Sequence, residues 1–238
     1  MTTPWRVSTT RFVITPMRRS FLNLSPGRFY EGWAGYRARQ TQHAADAVPP
    51  SIAIPPLLEE IAKITARLAA FGDGPYVGVT WRAGTAGKDC FLHKEVPAEQ
   101  LASAVAKSAA GSTGTVVVTQ RNPAEGEVGA FARALGRPVL DLSALNPDLE
   151  AVLGLRAVLD IYVGVSSANV YLRDAARRPS HVMVPYPAEF RWLVEGQESP
   201  CVPGAALYRQ DPDAFWNAAM TRLTRALEKT ENPFRIAV

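Results

Sequence analysis

Between Pro56 and Thr230 the spacing of apolar residues alternates between a helical and an extended period. Leu57, Leu58, Ile61, Ile64 and Leu68 form one stripe of a helix over 56–70, with a proline at its first turn. From Phe71 onward short apolar runs of strand type follow, at 76–81 (YVGVTW), 115–120, 138–142, 160–166 and 181–185. Between them lie helical patterns over 96–109, 126–136 (ending at a glycine), 148–159 and 168–178, the last stopped by Pro179. The run 205–210 reads as a weak edge element and 213–230 as a closing amphipathic helix. Strands separated by helices of this length predict right-handed βαβ units and a parallel, doubly wound sheet. The fold class expected is α/β, a single Rossmann-like sheet over residues 56–238.

Residues 1–55 pattern differently. Phe29, Trp33 and Tyr36 stand at helical spacing within 28–39, and a polar, proline-rich linker follows up to Pro56. This predicts an N-terminal helical and irregular extension. The first 30 residues carry Arg6, Arg11, Arg18, Arg19 and Arg28 and no acid before Glu31. That composition fits an organellar transit segment; a loosely ordered arm, or a start that cuts into a longer protein, is the simpler account.

Composition narrows the function classes. The chain has 238 residues, 47% of them hydrophobic and 20% charged, which suits a globular domain with a sizeable core. A net charge of +4 comes without Lys/Arg runs or basic–aromatic interleaving, so nucleic acid is not an expected partner. No apolar run reaches the length of a membrane span. Cys90 and Cys201 are far apart and form no CxxC, which points to a reduced, cytoplasmic setting. His43, His93 and His181 are scattered without metal-ligand or triad spacing, so no metal is expected. Asp141, Asp160 and Glu198 could pair in space, which sequence alone does not place, and Trp33, Trp81, Trp192 and Trp216 read as packing residues.

In doubly wound sheets, ligands lie beyond the carboxyl ends of the strands, where strand order reverses. Two loops suit that place. After the first strand come Arg82, Gly84 and Thr85, small residues and a cation able to approach a phosphate, with Lys94 further on. An ordinary turn with a surface arginine accounts for the same residues. After the fourth strand, Ser166, Ser167 and Asn169 lead into a helix start, which attracts anions; a simple helix cap is the competing account. Gln120 and Arg121 end the second strand on the same edge, within reach of a base or ribose if not merely loop polarity.

Several of these segments, taken in order, resemble a known family. PYVGVTWRAGT, LHKEVPAEQLASAV, VVVTQRNPAEGE, LDLSALNPDLEAVLGLRAVLDIYVGVSSANVYLRDAARRP and VPYPAEFRWLVEGQESPCVPGAALYRQ are similar to the C-terminal domain of family-9-like glycosyltransferases, the heptosyltransferase group. The likeness covers about 160 residues from Pro75 onward, and GRFYEGWAGYRAR resembles a tetratricopeptide helix that precedes such domains in bacterial fusions. The resemblance implies one half of a GT-B fold that binds a nucleotide-diphosphate sugar as substrate, with no cofactor, and transfers the sugar to a carbohydrate or protein acceptor. It implies donor-phosphate contacts at Thr85 and Lys94, and a donor-side position for Ser166, Ser167 and Tyr171, where the family has an Asp-Thr-Gly-like turn and a histidine. It places Glu189 and Trp192 beside the sugar.

Two departures follow. Serine for aspartate at 166 and tyrosine for histidine at 171 remove a carboxylate and an imidazole. Only about 35 residues separate Arg39 from Pro75, where the family has an entire acceptor domain. A second reading is therefore an inactive, truncated transferase-like domain that serves as a binding module, with a protein partner or second domain over its cleft. A dinucleotide-binding dehydrogenase is disfavoured by the missing GxGxxG after the first strand.

Overall fold

The computed structural model describes residues 52–83, 94–193 and 195–229. The helix predicted over 28–39, the segment up to Ser51, Gly84, Thr85, Cys90 and His93 lie outside the described residues.

The chain enters through helix α1 (Leu58–Phe71) and strand β1 (Tyr76–Thr80), then doubles back in a short ribbon, β2 (Arg82–Ala83) and β3 (Lys94–Glu95). Helices α2 (Ala98–Ala106) and α3 (Ala109–Thr113) lead to β4 (Thr115–Val118), α4 (Glu127–Leu135) and β5 (Leu140–Asp141). Then follow α5 (Leu149–Val158), β6 (Ile161–Val165), α6 (Ala168–Ala175), β7 (Ser180–Val184), β8 (Ala205–Arg209) and α7 (Asn217–Lys229). Six strands form one parallel sheet in the order β5-β4-β1-β6-β7-β8. Numbered along the chain, these six run 3-2-1-4-5-6, the doubly wound Rossmann order, which reverses between β1 and β6.

Alternation along the strands fills two cores. Val77, Val79, Val116, Val118, Val163 and Val165 meet Leu101, Phe131 and Leu223 from α2, α4 and α7. Val117, Tyr162, Val182 and Leu207 face the other way, against Leu68, Leu155 and Val170 from α1, α5 and α6. Gly78 lies on this second face, and a Cβ there would stand 2.4 Å from Leu159 Cδ1. Its missing side chain lets Leu159 reach the centre of the sheet.

Two arginines are buried in this half of the molecule. Arg173 donates to the carbonyls of Pro179, Arg156, Leu159 and Asp160, which fastens the end of α5 to the turn before β7. Arg156 donates to Thr119 Oγ1 at 2.8 Å and lies 4.3 Å above the Tyr162 ring. Asp160 accepts from the Tyr76 amide at 2.7 Å, so this carboxylate secures the start of β1.

Where the elements differ from expectation, local chemistry accounts for it. The helix predicted over 96–109 breaks at Lys107, and Ser108 caps a separate short helix by accepting from the Gly111 amide. The run 205–210 is the edge strand expected, but not a weak one, since β8 ends the sheet and pairs with β7 along its whole length. The α1 stripe is only half used, since Ile64 and Leu68 are buried while Leu58 faces solvent. Among the described residues, no helix is long and apolar enough to cross a membrane.

Candidate functional site

At the β1/β6 switch point a cavity of about 290 Å³ opens beyond the carboxyl ends of the strands. Its walls come from the β1 exit (Thr80, Arg82), the ribbon residue Lys94, and the β4 exit (Gln120, Arg121). The β6–α6 turn contributes Ser166, Ser167 and Asn169. Four segments distant in sequence thus meet because a doubly wound sheet leaves its loops splayed at this one point. A larger hollow of about 480 Å³, which includes Glu198, lies between β8 and α7 at the outer edge of the sheet, away from the switch point.

The predicted residues are held in different ways. Lys94 sits opposite Ala83 in the β2–β3 ribbon, which turns it back toward the sheet. Its Nζ lies 2.7 Å from Glu189 Oε1. The other oxygen, Oε2, accepts from Ser166 Oγ at 2.5 Å. Lys94 and Ser166 therefore converge, but on a carboxylate of the chain itself. Trp192 Nε1 donates to Ser166 Oγ at 2.8 Å and reaches Glu189 Oε2 at 3.3 Å, while Arg191 approaches Oε1 at 3.5 Å. Burial alone would raise the Glu189 carboxyl, but Lys94, Ser166 and Arg191 outweigh it and hold it below the usual carboxylate range.

Serine at 166 removes one carboxylate, and Glu189, from the segment after β7, sets another against the Ser166 hydroxyl. Trp192 is fully buried, and Tyr171 stacks on it at 6.0 Å rather than lining the cavity. The Tyr171 hydroxyl accepts from Arg191 Nε at 2.7 Å, and burial raises its pKa.

On the opposite wall, Arg82 pairs with Glu127 at 2.9 Å, and Trp81 Nε1 donates to the same carboxylate at 2.6 Å. Gln120 is 1% exposed. Its Oε1 accepts from the Trp81 and Arg82 amides, and its Nε2 donates to the Arg82 and Arg121 carbonyls. Both ends of this side chain are engaged in shaping the β1 exit. Arg121, exposed at the rim, makes no ion pair with a described residue. Ser167 stands at the N-cap of α6, yet its hydroxyl neither caps the helix nor finds another partner. Asn169 lines the cavity, 7% exposed, at the same helix start.

Sequence reasoning missed three contributors. Glu127 orders the β1 exit from 45 residues away, and Asn146 donates to the Thr119 carbonyl beneath the rim. Arg209 donates to the carbonyls of Trp192, Leu193, Glu195 and Gly196, fixing the loop next to Glu189. None of these has a local sequence signal, because every partner belongs to another element. Among the described residues, no group of three His, Cys, Asp or Glu side chains could hold a metal.

The strand order and the site at its switch point define a Rossmann-like α/β domain. Comparison with solved structures gives the same fold. The chain superposes on a glycosyl transferase family 9 protein from Veillonella parvula DSM 2008 with a TM-score of 0.53 and 12% identity, over 80% of this chain and 61% of that one. A second match is the E. coli heptosyltransferase WaaC with ADP-2-deoxy-2-fluoro heptose, at a TM-score of 0.40 and 17% identity, over 65% of this chain and 44% of that one. The chain thus spans less than two thirds of either structure. No family model matches the sequence, and no curated protein matches it.

Proposed function

We propose that the switch-point cavity binds a nucleotide-diphosphate sugar and that the chain is the donor-side half of a family-9-like glycosyltransferase. The observation that carries the reading is the meeting of Lys94, Ser166, Ser167 and the α6 helix start around one cavity. The unpaired amides of that helix start, the Ser167 hydroxyl and Asn169 offer donors to an anion. Arg121 adds a cation free of carboxylate partners among the described residues, and Lys94 stands across the cavity. In transfer, the leaving diphosphate gains negative charge as the bond to the sugar carbon breaks, and fixed donors aimed at it lower the barrier. The acceptor and the base that removes its proton come from an opposing domain or partner, and the reaction belongs to the cytoplasm. Titrating UDP-, GDP- and ADP-sugars by calorimetry tests the reading. Saturable binding of one of them supports it, and no heat at millimolar donor overturns it.

A second reading, an inactive domain that docks a partner over this cleft, is favoured by one observation. The two cations that the sequence assigned to the diphosphate, Arg82 and Lys94, are already paired with Glu127 and Glu189. Transfer or hydrolysis of a donor sugar by the chain alone would exclude it.

A further inference from the structure

Glu189 is surrounded as a bound anion would be. Lys94 and Arg191 face one carboxylate oxygen, and Ser166 and Trp192 donate to the other. Lys94 and Ser166 line the cavity, and Glu189 stands directly behind them, with 13% of its side chain exposed against 20% for Lys94. The partners fall into two groups. Trp192 is locked: fully buried, stacked with Tyr171, and bonded more closely to Ser166 Oγ, at 2.8 Å, than to Glu189, at 3.3 Å. Lys94 and the Ser166 hydroxyl proton can turn toward another acceptor, because the lysine has a flexible stem and the hydroxyl rotates.

We infer that Glu189 is an internal stand-in for a ligand phosphate. It holds Lys94 and Ser166 at the cavity, and an incoming diphosphate must displace it. The inference rests on the proposed function in taking a diphosphate as the natural ligand. Glu189 is then a competitor built into the site, and it sets a threshold. A weakly charged anion does not dislodge a carboxylate held by a 2.7 Å ion pair. A diphosphate carries more charge and gains the α6 amides and Asn169, which Glu189 does not touch. The opposite possibility is that Glu189 positions Lys94 for the ligand, and it predicts the reverse response to mutation.

The test is calorimetric titration of inorganic pyrophosphate into the full chain and into Glu189→Gln. A displaced competitor requires the variant to bind about tenfold more tightly, the scale of one lost charge-assisted hydrogen bond. Equal or weaker binding by the variant overturns the inference. Glu189→Asp guards against misfolding: it keeps the charge but is too short to reach Lys94 and Ser166 together. It should also bind pyrophosphate more tightly than the native chain, and weaker binding again overturns the inference. UDP-, GDP- and ADP-sugars titrated in parallel separate the two claims. A gain for pyrophosphate without any nucleotide binding keeps the competitor and removes the transferase reading. Nucleotide binding without that gain does the opposite, and silence toward every anion in both proteins removes both.

Discussion

Single residues here do work that their sequence neighbours do not announce. His181, which opens β7, shares a 2.8 Å hydrogen bond with Tyr208, and burial with nearby Arg173 lowers its pKa from 6.5 to about 4. The folded chain therefore resists protonating a group that the unfolded chain protonates near 6.5. Stability is complete above that pH and falls as the pH drops toward 4. At pH 5.5 the loss is about 1.4 kcal/mol relative to pH 7.5, one pKa unit's worth. Urea unfolding at the two pH values should show that difference in the native chain and not in His181→Gln; equal slopes in both would refute it. Glu189 behaves with the same sign in a more acidic window, since its lowered pKa means that its stabilisation is lost as pH falls through the carboxylate range. At this scale the sequence was informative about residue type and mute about partners. Lys94, Ser166 and Glu189 could each be singled out, but 95 positions separate Lys94 from Glu189, and only the fold makes them an ion pair.

Among elements, the loop after β7 depends most on a residue outside itself. Arg209, at the end of β8, gives its guanidinium donors to four carbonyls of residues 192–196, and so holds the stretch that presents Glu189 and Trp192. Arg209→Ala should leave the sheet intact but free this loop. Amide exchange in 189–197 should accelerate by tenfold or more, roughly the loss of one or two charge-assisted hydrogen bonds, with β1 and β6 protected as before. Unchanged protection of that loop would show that other contacts hold it. The order of strands and helices was readable because a buried parallel strand and an amphipathic helix have different periods, and 76–81, 160–166 and 181–185 came out within a residue or two. The β2–β3 ribbon was not readable: two residues on each side carry no period. Nor was the strength of β8, because its pairing comes from β7 and its own segment, AALYRQ, has none of the β-branched residues that mark the other predicted strands.

Over the whole molecule, position follows from topology. Once the strands alternate with helices, the reversal between β1 and β6 is the one place where successive loops diverge, so the site was locatable before any side chain was placed. Its charge balance was not, because Glu127 and Glu189 enter from segments that the strand pattern leaves unspecified. If the cavity takes a nucleotide diphosphate, occupancy at a hundredfold excess over Kd adds about 2.7 kcal/mol to stability. That is a rise of several degrees in Tm for a domain of this size. A thermal scan with ADP, UDP and GDP should show the shift for one of them, and three unshifted curves would argue against the site. The anchoring of Arg173 bears on how such a domain can change over time. Its acceptors are the main-chain carbonyls of residues 156, 159, 160 and 179, and every amino acid supplies a carbonyl. Substitutions at those four positions leave the clasp intact as long as the backbone holds its course, whereas replacing the arginine strands all four carbonyls at once. The clasp therefore constrains position 173 itself and asks nothing of the side chains at its acceptors, although Arg156 and Asp160 are held by contacts of their own.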